Sequence, residues 1–329
     1  AWAGGTSGSL NVSKHWPSGA DKIVAIAEHN NRLIIFGERS IIIYSGLNSP
    51  STMAIEDTID QIGCVARDSV QSVGNDLIFL SHGGVMRLSR ALQNENNPLS
   101  SFSQNVRTDL IKAIDTETFP IKSVYSPEEQ FYLISFPLSA VVYCFDMRTT
   151  LEDGAQRTTS WSTLIPMSFH RCTSVTNSGQ LRIGLVNGIA TYKGYNDNAT
   201  ETYLMSYLSN PIDFSSTERP DIADKLKFPK KINATILGFS GSAINIIWGF
   251  NYGSILKSIA TTLVNSSIAE FGTGEFGLSE FTSGVILNRL ANNTNGSGSN
   301  VSIGINSLID GNLLSVQKLD IQALIGRLY

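Results

Sequence analysis

Four segments of this chain repeat one arrangement: an apolar strand, a polar turn, a second apolar strand, a short break and a third strand. Such self-similarity limits the fold more than any single motif does. The segments are KIVAIAEHNNRLIIFGERSIIIYSG (22–46), SVQSVGNDLIFLSHGGVMRLSR (69–90), KSVYSPEEQFYLISFPLSAVVYCFDMR (122–148) and CTSVTNSGQLRIGLVNGIATYKGY (172–195). Their first turns carry Asn30-Asn31, Gly74-Asn75, Pro127-Glu128-Glu129 and Asn177-Ser178-Gly179, residues that accept a positive φ or preset a fixed one, as tight hairpins require. The second breaks fall at Gly37, Gly83-Gly84, Pro137 and Asn187-Gly188. The middle strands begin near Arg32, Asp76, Phe131 and Gln180, at spacings of 44, 55 and 49 residues. That period suits propeller blades of three to four strands, whereas a solenoid would repeat faster and more evenly.

The remaining pattern completes an all-β expectation of β-propeller-like blades with additional C-terminal β-strands and one short helix. The helix is expected in 103–117, where Val106, Leu110, Ile111 and Ile114 share one stripe and Thr108-Asp109 sits in the first turn. Three regions follow: an irregular N-terminal segment (1–21), propeller-like blades (22–200), and a C-terminal β region (201–329) that completes the propeller or packs as a second β layer. In the last region, Ser240-Gly241-Ser242 predicts a hairpin, and Asp310-Gly311 predicts another between two long alternating strands. Trp248, Phe250 and Tyr252 alternate along one strand and are expected on one face. Leu313, Leu314, Val316, Leu319, Ile321, Leu324 and Ile325 are too apolar to leave in water. A propeller gains most when its last strand returns to its first blade, so 312–328 is expected to pair near Ile23–Ser45.

Hydrophobic residues make up 42% of the 329 positions, enough for a sizeable core, while charged residues make up only 16%. A typical soluble domain has about 25% charged residues. The low value suits a surface that neighbours cover. Lys and Arg total 24 against 28 Asp and Glu, a formal charge of -4, which disfavours tight binding to nucleic acid because phosphate neutralisation requires surplus cations. Cys64, Cys144 and Cys172 lie far apart without a CxxC pair, so they read as reduced thiols rather than zinc or redox ligands. No apolar run approaches the roughly 20 residues of a membrane span, and the opening AWAGGTSGSLNVSKHW is neither a signal nor a transit peptide.

The stretches LIIFGERSIIIYSG (33–46) and IDQIGCVARDSVQSVGNDLIFLSHGGVMRLS (59–89) resemble the propeller core of the tail nozzle proteins of short-tailed bacteriophages, the tail tubular protein B and packaged-DNA stabilisation types. LKFPKKINATILGFSGSAINIIWGFNYG (226–253) and LSVQKLDIQALIGRL (314–328) are similar to the C-terminal β region of the same group. The resemblance implies a structural virion protein of the phage tail, a homo-hexameric ring around the DNA exit channel below the portal and adaptor. Tail fibre or needle proteins dock nearby, and double-stranded DNA passes transiently without specific binding.

Candidate chemistry is weak beside that reading, and the expectation is no catalytic, cofactor-binding or metal-binding residue. GTGEFG (272–277) matches the dinucleotide string, but no helical stripe follows it. Ser81 and His82 are adjacent strand residues and face opposite sides, so they cannot form a nucleophile and base pair. His15, His29 and His170 show no metal-ligand spacing. Glu128-Glu129 and Glu152-Asp153 sit beside turn signals, where solvated acids are ordinary. Lys225, Lys227, Lys230 and Lys231 form the densest basic run, expected either to guard a strand edge or to face DNA or a partner. The rival functions are a propeller glycosidase or depolymerase, which would need two carboxylates across a pocket, and a monomeric propeller that binds through its rim loops.

Overall fold

The computed structural model describes residues 10–17, 19–49, 51–89, 102–151, 155–162, 164–172, 179–195, 201–216, 218–253, 255–264 and 285–326. The fold is all-β with one α-helix among the described residues, and the chain divides into two compact units, Ala1–Tyr192 and Lys193–Tyr329.

The four repeats correspond to antiparallel meanders whose strands are adjacent in chain order, although the fourth meander opens at Ser168, before the segment 172–195 that the sequence marks. The first sheet holds β1 (Ile23–His29), β2 (Arg32–Gly37), β3 (Ile41–Ser45) and β4 (Ala54–Ile59). The second holds β5 (Gln71–Val73), β6 (Asp76–Ser81) and β7 (Gly84–Arg87). The third holds β8 (Lys122–Ser126), β9 (Phe131–Phe136), β10 (Val141–Thr150) and β11 (Gln156–Trp161). The fourth holds β12 (Ser168–Arg171), β13 (Leu181–Leu185) and β14 (Gly188–Thr191). Local chemistry explains the turns. Asn30 and Asn31 both take positive φ (50° and 58°) between β1 and β2, as a two-residue hairpin of this hand demands. Gly84 at φ 125° opens β7. β4 and β11 add fourth strands to the first and third sheets, beyond the three that each segment predicts.

Consecutive sheets pack face to face in chain order. Ile34, Phe36, Ile41 and Ile43 of the first sheet bury against Leu77 and Phe79 of the second. Ile78, Leu80 and Val85, on the opposite face, bury against Tyr132, Ile134, Phe136, Tyr143 and Phe145 of the third sheet, together with Leu110, Ala113 and Ile114 of helix α1 (Arg107–Thr116). Val124, Phe131 and Leu133 then meet Leu181 and Ile183 of the fourth. The predicted helix is in place, with Asp109 in its first turn and Ala113 added to the stripe.

Polar staples set the loops. Asp21 reaches across the β2–β3 turn, its carboxylate accepting bonds from the N–H groups of Glu38 (3.0 Å), Arg39 (2.9 Å) and Ser40 (2.9 Å) and from the Ser40 hydroxyl (3.0 Å). Glu117 does similar work at the β9–β10 turn, accepting from Leu138 N–H at 3.0 Å. The outer face of the first sheet, Ile35, Ile42 and Tyr44, is covered by Trp16 of the N-terminal segment.

The second unit is a two-sheet sandwich. One sheet runs β15 (Tyr203–Leu208), β20 (Val301–Ile309), β17 (Ala243–Phe250) and β18 (Lys257–Thr262). The other runs β19 (Val285–Asn293), β16 (Lys227–Phe239) and β21 (Leu314–Ile325). Ile232, Ala234 and Ile236 of the second sheet bury against Ile244, Ile246, Trp248, Ile303 and Ile305 of the first.

Four expectations are corrected here. Asp310-Gly311 joins β20 to β21, which lie in different sheets, so it forms an arch across the sandwich rather than a hairpin. Ser240-Gly241-Ser242 is likewise an arch, from β16 to β17. The C-terminal strand pairs with β16 from Lys227↔Ile325 to Gly238↔Leu314, not with Ile23–Ser45, because Leu314, Val316, Leu319 and Ile321 find their cover in the sandwich core. Tyr252 lies in the turn after β17 and is exposed, while Trp248 and Phe250 join the core.

Two predictions follow from these contacts. Deleting the chain from Asp310 onward should strip β21 from β16 and expose the sandwich core; hydrogen exchange should then show protection lost across β16, β17 and β20 but kept in β2, β6 and β9. Burial opposes ionisation of Asp21, but the bonds from Arg39, Lys22, Ser40 and Glu38 outweigh it and hold its carboxyl below the usual range. Its contribution to stability is therefore complete above the unfolded carboxyl pKa of about 3.9 and is lost as pH falls through the lower folded value. Asp21→Ala should cost about 1–3 kcal/mol in urea denaturation at pH 7, from the donors it orphans, and should remove this part of the acid dependence.

Candidate functional site

The first strands of three consecutive sheets come together around one shallow cleft. Its walls are Gln71 and Ser72 of β5, Ser123, Val124 and Tyr125 of β8, and Phe169, His170 and Arg171 of β12, with Gly74 and Pro127 at the turns, enclosing about 680 Å³. Hydrogen bonds position the walls. Gln71 Nε2 donates to the Ser123 carbonyl at 3.2 Å, and the Ser123 hydroxyl donates to the Asp68 carbonyl at 2.8 Å. The buried Tyr132 hydroxyl donates to the Ser69 carbonyl at 2.8 Å, tying the third sheet to the segment before β5. Lys122 forms an ion pair with Asp68 beside these bonds.

The cleft is polar and electrically balanced. Its cation, Arg171, pairs with Glu128, Nε to Oε2 at 3.0 Å, and that guanidinium holds the Glu128 carboxyl below the usual carboxylate range. What remains among the described lining residues is a set of hydroxyl, amide, imidazole and backbone groups beside the Tyr125 and Phe169 rings. Such a lining can position strands or hold a neutral polar ligand, and it offers no free cation for phosphate. The sequence singled out Glu128 and His170 but not the cleft. Each wall belongs to the first strand of a sheet; β5 and β8 open their repeats, so superimposing the repeats would have located two walls, while β12 precedes the segment 172–195 and gave no such signal.

The other sequence candidates are dispersed. Ser81 ends β6 and is buried, whereas His82 lies in the turn before β7 and is exposed, so the two are not adjacent strand residues as the sequence suggested. His15 Nδ1 lies 2.7 Å from the Tyr44 hydroxyl, and His29 Nε2 lies 3.0 Å from Asn30 Nδ2. Glu129 is exposed. Glu152-Asp153 and 272–277 lie outside the described residues. Among the described residues, no group of three His, Cys, Asp or Glu is placed to hold a metal. Burial pushes the Cys64 and Cys144 thiols up to about 11, which leaves them poor nucleophiles at neutral pH.

The four lysines do not present one basic face. Lys225 pairs with Asp221, four residues earlier. Lys227 is 0% exposed, and its Nζ donates to the Ala223 carbonyl at 2.6 Å. Lys230 is exposed and Lys231 half-buried. They do not guard an edge either, because β16 is the central strand of its sheet. Pro229 is tolerated there because a bulge against β21 falls between Pro229 and Lys231, where no ladder N–H is needed. Burial lowers the Lys227 pKa, with Asp213 and Asp224 acting in the opposite direction. Lys227→Met should therefore keep or raise the thermal midpoint, since a well-packed apolar chain replaces a desolvated charge, whereas Lys227→Glu should lower it sharply. Differential scanning calorimetry on the two variants checks both signs.

No protein-family model matches the sequence, and no curated protein matches it. Among solved structures, the chain is similar to PorZ, an essential bacterial surface component of the type IX secretion system of Porphyromonas gingivalis. The TM-score is 0.29 at 15% identity, over 53% of this chain and 20% of that one. It is also similar to a tryptic core variant of Bacillus thuringiensis Cry1Da, with a TM-score of 0.23 at 8% identity, over 92% of this chain and 51% of that one. The chain thus spans about a fifth of the first structure's length and about half of the second's. Likenesses this low carry no argument about function.

Proposed function

We propose that this chain is a non-enzymatic structural protein of a short-tailed phage virion, a tail nozzle subunit that assembles into a ring around the DNA channel. One observation carries the reading: consecutive meander sheets stack face to face, and the first strands β5, β8 and β12 gather at one cleft. Propeller blades pack in this way, with their opening strands innermost. The residues that resemble nozzle proteins, 33–46 and 59–89, cover the two inner strands β2 and β3 of the first sheet, the crossing to the second sheet, and the second sheet itself.

The electrostatics fit a conduit. With a formal charge of -4 and with Lys225, Lys227 and Arg171 engaged internally, the chain has no surplus of cations to hold phosphates, so DNA can pass without adhering. The work assigned to the protein is then steric: to extend the channel, retain packaged DNA and conduct it at ejection. Adaptor and fibre or needle proteins are its expected neighbours.

Negative-stain imaging of the purified chain, and immunogold labelling of phage particles, test this. The expected result is a ring with a central channel, six copies round, and label at the tail. A chain that stays monomeric, leaves tails unlabelled and depolymerises a polysaccharide would overturn it in favour of a propeller glycosidase.

A further inference from the structure

The four-stranded sheet of the second unit ends in two strands, β15 and β18, neither of which has a further β neighbour among the described residues. Natural sheets protect such edges with lysine, proline or a bulge. β15, YLMSYL, has none of these, and its register against β20 is unbroken. β18, KSIATT, has a single lysine, whose Nζ is engaged by the Asn295 side chain at 3.0 Å.

The backbone groups that point outward can be named. The Ser209 N–H bonds to the Ile303 carbonyl, so by strand alternation Tyr207, Met205 and Tyr203 direct their backbone groups toward β20. Leu204, Ser206 and Leu208 direct theirs to the open side. The Leu263 N–H bonds to the Ser242 carbonyl, which by the same rule leaves Ser258, Ala260 and Thr262 facing outward from β18. Around β15 the surface is apolar: Leu204 is 64% exposed and its cross-strand partner Leu308 59%, with Tyr207 and Leu208 also exposed. Ile255 and Val264 are exposed on either side of β18.

We infer that β15 of one copy pairs with β18 of the next, so that this sheet runs continuously from subunit to subunit; the inference rests on the ring reading above. Three features select a second copy as the occupant. The two edges match in length, six residues each. They are compatible in charge, since β15 carries no charge and β18 carries only Lys257, which Asn295 engages, so β15 offers nothing to DNA or to an acidic peptide but suits another nearly uncharged strand. They also match in direction. All neighbours in this four-stranded sheet are antiparallel, so β15 and β18 run oppositely, and head-to-tail addition of copies continues the antiparallel alternation. A head-to-tail contact that closes into a ring leaves neither edge open, whereas pairing β15 with β15 about a two-fold axis would leave both β18 edges exposed.

The experiment uses two proline variants of the full chain, Ser206→Pro and Ala260→Pro, each removing an outward N–H while sparing the ladder within the subunit. Leu208→Lys, at an exposed side chain on the same edge, serves as a second probe of β15. Far-UV circular dichroism and melting confirm that each variant is folded, and native mass spectrometry reads the assembly. The expected result is wild-type rings, monomers for each variant alone, and a one-to-one heterodimer when Ser206→Pro and Ala260→Pro are mixed, because each retains the edge the other lacks. Wild-type rings together with rings from Ser206→Pro and Leu208→Lys would overturn the edge assignment and leave the ring reading standing. Rings from Ala260→Pro alone would overturn the head-to-tail pairing. A wild-type chain that never assembles would overturn both readings.

Discussion

A strand that is apolar on both faces needs cover on both. β2, β6 and β9 read RLIIFG, DLIFLS and FYLISF, and nearly every position in them is buried. Strands of this kind occur where a sheet is packed from both sides, and they lack the alternation of a half-solvated sheet. Since each of these is an inner strand of its own meander, each of the first three sheets demands a neighbour on either face. Stacking in chain order satisfies that demand with the shortest connections, and Trp16 ends the stack by covering the outer face of the first sheet. The second unit follows the other rule. β16 alternates buried and half-buried positions, so its sheet needs cover on one side only, and two sheets suffice.

Tyr132 and Ser69, polar groups between the stacked sheets, are paired despite their burial. Tyr132 keeps its ring in the core and places its hydroxyl on the Ser69 carbonyl, while the Ser69 hydroxyl itself accepts the Leu80 N–H at 3.0 Å and donates to Ala66. These bonds fix where β5 stands relative to β8, and hence the geometry of the cleft. A close backbone approach does comparable work beside the first sheet: a Cβ on Gly63 would fall 2.3 Å from the Glu38 carbonyl, so only glycine lets the chain cross the β2–β3 turn on its way to the second sheet.

Much of this was legible because local chemistry and global packing agree. Asn30-Asn31 can hardly do anything but turn, and the helix stripe at Leu110 and Ile114 matches the face that meets the third sheet. β4 and β11 were not legible, because AIEDTI and QRTTSW carry too few apolar residues to announce a strand and are recruited by the open edges of β3 and β10. The two arches deceived for a different reason. Asp-Gly and Ser-Gly-Ser reverse the chain equally well within a sheet or between sheets, and which occurs depends on distant partners: Ile321 finds Ile232, some ninety residues earlier. The basic run failed similarly, since four lysines close in sequence are divided among an ion pair, a buried amine, one exposed and one half-buried position, a division that composition does not reveal.

Low charge ties these parts together. With only 16% charged residues, the chain spends many of its ions on internal geometry, Lys122 with Asp68 between sheets, Arg171 with Glu128 beside the cleft and Arg32 with Glu56 across β2 and β4. Exposed pairs of this kind contribute little stability each, so their value is positional. The consequence falls on the surface. Leu204, Leu308, Leu287 and Leu324 stand exposed on strands of the second unit. A chain that must remain soluble alone would usually place lysine or glutamate at such positions. Leaving them apolar costs solubility in the free chain, which is the balance the proposed ring would require.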